Sequence, residues 1–166
     1  KGYRLPEYDR DAMIALTKAE PEWVHFGAGN IFKAFQCRAL QKLLNNGTMR
    51  KGVIAVERRK KGEVTHDGLT VAVTLKADGT VEKDVIGSIP DSAGSLTAEV
   101  TSDMEVGPDK AASYMGKLTA LLYARYRRGA LPVAMVSMDN CSHNGDKLKA
   151  AVTAFADAWV GNGLAE

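Results

Sequence analysis

The chain has 166 residues, 45% of them hydrophobic and 25% charged, enough for one domain with a real core and no need of a disulfide framework or metal. Its 22 basic and 20 acidic residues leave a formal charge of +2, which gives no electrostatic reason to expect nucleic acid or an anionic membrane as partner. No apolar run approaches the roughly 20 residues of a membrane span, the N-terminus shows no signal-like core, and Cys37 and Cys141 form no CxxC pair, so the expected setting is the reducing cytoplasm.

In chain order, "YDRDAMIALTKAE" predicts a short surface helix with Met13 and Leu16 turned inward. "EWVHF" reads as a short apolar strand ending at Gly27, with His25 a core histidine. From Asn30 to Asn46 the apolar positions Ile31, Phe35, Ala39 and Leu43 recur at helical spacing, and Gly47 suits the residue after the helix end. "GVIAVE", residues 52 to 57, is continuously apolar and ends in an acid, as a fully buried strand would. Strand, glycine turn, helix and strand together make a βαβ unit. The implied fold class is α/β, a Rossmann-type dinucleotide-binding domain spanning residues 1–166.

The middle changes character. Two β-rich runs flank Ala77-Asp78-Gly79, which predicts a β-hairpin inserted into that fold. Residues 90 to 107 have no strong period and read as loop. A long helix follows Pro108, with Tyr114, Leu118, Leu121, Leu122 and Tyr126 on its buried side, and Gly129 stops it. The "RYRR" of residues 125–128 suits the negative end of that helix dipole. "LPVAMVSMDN", residues 131 to 140, predicts another buried strand. A last helix carries Leu148, Val152, Phe155 and Trp159 on one face.

Two stretches can carry chemistry. Gly27-Ala28-Gly29 lies between a strand and a helix, where the first glycine permits a tight turn and the second lets backbone approach a pyrophosphate. Phe32 occupies the place of the third glycine in GxGxxG, which leaves Ala34 as the small residue for close helix–strand packing. Glu57, 30 residues after Gly27, is placed either to accept hydrogen bonds from a ribose diol or simply to sit in solvent. Arg58 and Arg59 beside it suit a 2′-phosphate, so NADP stays open beside NAD. In "VSMDNCSHNGDKLK", residues 136–149, a strand ending in polar residues would present them at the carboxyl edge of the sheet. There Asn140 either donates to a substrate oxygen or, with Asp139 and Asn144, caps the next helix. Cys141, His143 and Asp146 match no common metal spacing, and no metal is expected.

The stretches "LPEYDR", "VHFGAGNIFKAFQ", "YMGKLTALLYARY" and "VSMDNCSHNGDKL" resemble the polyol-specific long-chain dehydrogenases, the family of mannitol 2-dehydrogenase, fructuronate reductase and tagaturonate reductase. The resemblance implies hydride transfer, linked to NAD and without a catalytic metal, between a sugar alcohol or sugar acid and its keto form. It implies that Gly27, Gly29, Asn30, Ile31 and Phe32 line the dinucleotide phosphates, with Glu57 near the adenosine ribose. Ser137, Met138 and Asp139 would lie near the nicotinamide, and Asn140 would polarise the substrate oxygen. The family's general base, a lysine in Lys-x4-Asn-x2-His on a helical C-terminal domain, does not occur in this sequence. The stretch after "VIAVERR" and residues 88–110 are also short for the family. The competing expectation is therefore a stand-alone dinucleotide-binding module without catalysis.

Overall fold

The computed structural model describes residues 2–56, 68–93, 100–138 and 141–166. Glu57, Arg58, Arg59, Asp139 and Asn140 lie outside the described residues. The chain divides into two compact units, Lys1–Ser95 and Leu96–Glu166.

Among its described residues the first unit holds two three-stranded sheets. One runs β2 (Val24–Phe26), β3 (Ile54–Val56), β6 (Asp91–Ala93), all parallel, with Phe26 beside Val56 and Val56 beside Ala93. The other runs β1 (Tyr3–Arg4), β5 (Val81–Ile86), β4 (Thr70–Leu75), where β4 and β5 form the expected antiparallel hairpin. Helix α1 (Arg10–Ala19) is capped by the Asp9 carboxylate, which accepts the Ala12 N–H. Its inward face is Met13 with Thr17, while Leu16 is half-buried. The Thr17 hydroxyl donates to the Met13 carbonyl at 2.7 Å and accepts the Gly52 N–H at 2.7 Å, so a polar group sits in the core fully partnered. A Cβ on Gly52 would fall 2.6 Å from the Ser88 carbonyl and 2.7 Å from the Met13 sulfur, which is why only glycine fits there.

The helix after the glycine turn differs from its sequence pattern. It starts at Asn30, passes through a π-helical turn at Phe32–Gln36 in which the Cys37 N–H bonds the Phe32 carbonyl, and continues as α2 (Cys37–Asn45). The π-turn adds one residue and rotates the remainder of the helix by about 100°. The buried face is consequently Phe32, Cys37, Leu40, Gln41 and Leu44. Ile31 and Phe35, expected on it, are 73% and 69% exposed. Ala34 is exposed too, so it does not supply the close packing expected of it. The core around this face includes Met13, Val53, Ala55, Ala72, Ile86 and Ile89.

Polar side chains fasten α2 to the hairpin. Gln41 donates to the Val85 carbonyl and accepts the Gly87 N–H, both at 2.7 Å. Arg38 bonds Asp84 at 2.7 Å and Glu82 at 3.4 Å, and Arg4 of β1 bonds both acids from the other side. Lys76 also pairs with Glu82.

The second unit is helical: α3 (Val100–Val106), a 3-10 turn at Pro108–Lys110, α4 (Tyr114–Arg127) and α5 (Asn144–Gly161). Residues 90–107 are thus not all loop, since they contribute β6 and α3, elements too short to show a period. Asp103 organises this unit. Its carboxylate accepts the N–H groups of Ala112 and Ser113, and its carbonyl accepts the Trp159 indole N–H at 2.8 Å. Burial pushes the Asp103 carboxyl up, but the Ser113 hydroxyl and these N–H bonds outweigh it, and the group lies below the usual range. Phe155 and Trp159 pack edge to face, 5.7 Å between centroids, and both are buried as their spacing predicted. On α4 the buried residues are Gly116 and Thr119, whereas Leu121 and Tyr126, expected inside, are 52% and 64% exposed. The basic end of α4 does more than complement a dipole: Arg125 donates to the carbonyls of Leu131 and Pro132, each at 2.6 Å.

The buried strand expected at 131–140 does not form over its described residues. Leu131, Val133, Met135, Val136 and Met138 are all exposed. A strand exists only through a ladder partner, and the described elements of this unit are helices.

Candidate functional site

Strand β2 runs into Gly27, whose φ of +108° is a conformation that side-chain-bearing residues avoid. The Gly27 N–H donates to the Val56 carbonyl at 2.7 Å, closing the turn onto the end of the neighbouring parallel strand. Ala28 packs against the core, while Gly29 and Asn30 are exposed. The first helical bond runs from the Lys33 N–H to the Gly29 carbonyl at 3.1 Å. A helix cannot satisfy its own first N–H groups, so those of Asn30, Ile31 and Phe32 have no acceptor within it. Among the described residues, a Cβ placed on Gly27 or Gly29 would meet nothing within 4 Å, which leaves open space over the turn. Free donors, a helix dipole and an open approach to the backbone are what an anionic diphosphate needs.

Phe32 contributes to this turn through its main chain. Its side chain is 4% exposed and belongs to the core. The ring lies flat on the His25 imidazole, 3.8 Å between centroids and 7° between planes, and Trp23 meets His25 edge-on at 6.4 Å. Burial holds the His25 imidazole below its ordinary value. That contact could not be read from the sequence, where only two aromatic rings seven residues apart marked it. Gln36, turned so that its nitrogen faces the carbonyls, donates to Ile31 at 3.0 Å and Phe32 at 3.2 Å.

Of the residues expected at a dinucleotide site, the structure gathers Gly27, Gly29, Asn30, Ile31 and Phe32 in one turn. Glu57 follows Val56 directly in sequence but is outside the described residues. Ser137 and Met138 belong to the second unit, in a described segment that forms no strand; the Ser137 carbonyl accepts the Asn144 amide at 3.2 Å. Among the described residues no cluster of three His, Cys, Asp or Glu could hold a metal ion, and no helix is long and apolar enough to cross a membrane.

Residues 21–162 match the family model described as the mannitol dehydrogenase Rossmann domain. The chain belongs to the mannitol dehydrogenase family. It is 35% identical to the D-mannonate oxidoreductase of Thermotoga maritima, over an alignment that takes in 99% of this chain and 39% of that protein. That alignment runs to 209 residues against the 166 of this chain, so the relative carries residues within it that have no counterpart here. Two solved structures share the fold. A D-sorbitol dehydrogenase in substrate-free form superposes with a TM-score of 0.76 at 19% identity, covering 95% of this chain and 40% of the other. A Pseudomonas fluorescens mannitol 2-dehydrogenase, in a ternary complex with NAD and D-mannitol, gives 0.73 at 20% identity with the same coverage. The chain therefore spans about two-fifths of the length of these relatives, and its fold class is the Rossmann-type α/β fold the sequence implied.

Proposed function

We propose that residues 1–166 are the dinucleotide-binding part of an NAD-dependent oxidoreductase acting on a sugar alcohol or sugar acid. The observation that carries this reading is the open glycine turn, closed onto Val56 at the carboxyl end of parallel strands, in a chain of the mannitol dehydrogenase family. A D-mannonate oxidoreductase and a mannitol dehydrogenase among the relatives support the substrate class. The bound nicotinamide gives or takes the hydride; the residues here hold and aim it. The N–H groups of Asn30, Ile31 and Phe32 face the pyrophosphate across Gly27 and Gly29. Glu57 takes the ribose hydroxyls of NAD, and Arg58 and Arg59 leave NADP as the alternative cofactor. Ser137, Met138 and Asp139 border the nicotinamide, and Asn140 polarises the substrate oxygen. The hairpin β4–β5 is an elaboration between β3 and β6. The protein works in the cytoplasm.

Titration of the intact protein with NADH and NADPH tests this. Wild type should bind one of them, and Gly29→Val should weaken that binding on the order of 100-fold or more, because a branched side chain in the open space blocks at least two charge-assisted hydrogen bonds of about 1.5–3 kcal/mol each. The variant should fold normally, since nothing stands within 4 Å of the new Cβ. A wild type that is folded and binds neither nucleotide overturns the reading. The second reading, a stand-alone module that binds a dinucleotide without turnover, is not favoured, because the relatives are named as oxidoreductases and dehydrogenases.

A further inference from the structure

The first turn of the helix after Gly27 is poorly anchored by its backbone. Gly29, Asn30 and Ile31 are exposed, the Lys33–Gly29 bond is the first helical bond, and the ladder then widens into the π-turn. Phe32 is the one residue of Gly29–Phe32 that reaches the core, and its ring lies on His25. In a GxGxxG turn the third glycine sets the distance between helix and strand. Here two parallel rings 3.8 Å apart set it instead, one from β2 and one from the helix. We propose that His25 is a positioning residue for the glycine turn: its flat stack on Phe32 fixes the direction in which the N–H groups of Asn30, Ile31 and Phe32 point, and so sets affinity for a diphosphate. This deepens the dinucleotide reading above and rests on it.

The stack explains two departures from the usual motif together. A ring at position 32 needs more room than glycine, and the π-turn that begins at Phe32 supplies it. Flatness matters because the face of the Phe32 ring stacks closely on another planar ring and less well on a branched aliphatic side chain of similar volume.

The test compares wild type with His25→Phe, His25→Leu and His25→Ala in the intact protein, by NADH titration and by the amide exchange rate of Lys33 without ligand. His25→Phe should keep both the affinity and the protection of Lys33 within about twofold of wild type. His25→Leu and His25→Ala should weaken NADH binding by about 3- to 10-fold, the worth of an aromatic pair, and should speed exchange at Lys33 by a similar factor. If His25→Leu matches His25→Phe in both measurements, volume suffices and the proposal falls. If His25→Ala does not fold, the Phe and Leu variants decide alone. If wild type fails to bind NADH, the dinucleotide reading fails, and the exchange rates still decide whether His25 orders the turn.

Discussion

The two cysteines stand in opposite environments, and their chemistry should differ accordingly. Cys37 is fully buried, and burial pushes its thiol up to about 12, although the Ser88 hydroxyl nearby works against this. Cys141 is exposed. One thiol per chain should therefore react promptly with an aromatic disulfide reagent at pH 8, and the second only after denaturation. Cys141→Ser should abolish the fast phase and leave the slow one; a fast reaction surviving that change would show that Cys37 is not sealed. Individual residues were also where the sequence spoke most clearly. Gly27 could be placed because a strand running into GxG leaves few alternatives, and its positive φ agrees. The His25–Phe32 stack could not, because a ring contact between strand and helix depends on a rotation that composition does not encode.

Ion pairs join the hairpin sheet to α2 beside the apolar core that the two share. Arg4 and Arg38 hold the Asp84 carboxyl below its usual range, and Arg4 with Lys76 holds Glu82 at about 2. Carboxyls depressed on folding contribute stability that is present above their unfolded values and lost as pH falls through their folded ones. The first unit should accordingly keep its urea midpoint from pH 7 to about 4.5 and lose it steadily toward pH 2. Asp84→Asn should lower the midpoint at pH 7 and flatten that decline; an unchanged slope would mean that the ion pairs are dispensable. Elements were read well where their signal is local, as for α1, the hairpin and α5. They were misread where it is not. One extra residue in the π-turn leaves no trace in the apolar spacing, so no single helical phase through Ile31, Phe35, Ala39 and Leu43 could join Phe32 to Cys37, Leu40 and Leu44 on one buried face. Residues 131–138 carry an apolar strand's composition, but pairing belongs to two segments, and no sequence window contains both.

The chain matches the Rossmann domain of its family and spans about two-fifths of the length of its relatives. Under the proposed reading a bound dinucleotide lowers no barrier unless a proton can also move, and the lysine motif that the resemblance implies for that step does not occur in these 166 residues. These 166 residues alone should bind NADH yet show no reduction of fructuronate, tagaturonate or fructose above the uncatalysed rate. Turnover measured by the fall in NADH absorbance would place a base within the chain and end the division of labour between cofactor-binding and proton-transferring parts. Family and fold were open to the sequence because the glycine turn, the two parallel strands around it and the final helix are contiguous pieces; the substrate is not, because its contacts come from segments far apart.

The π-turn makes length a more sensitive quantity than identity between Gly29 and Cys37. Substituting an exposed side chain there changes one contact, and the rest of the helix keeps its phase. Deleting any single residue would restore a regular α-helix and turn Gly29–Ile31 by about 100° against the face that carries Leu40 and Leu44. Lineages of this chain can drift at the exposed side chains of that segment, such as Ile31, Ala34 and Phe35, but gaps in it should be purged, and a library randomised at those positions should recover many substitutions and almost no deletions.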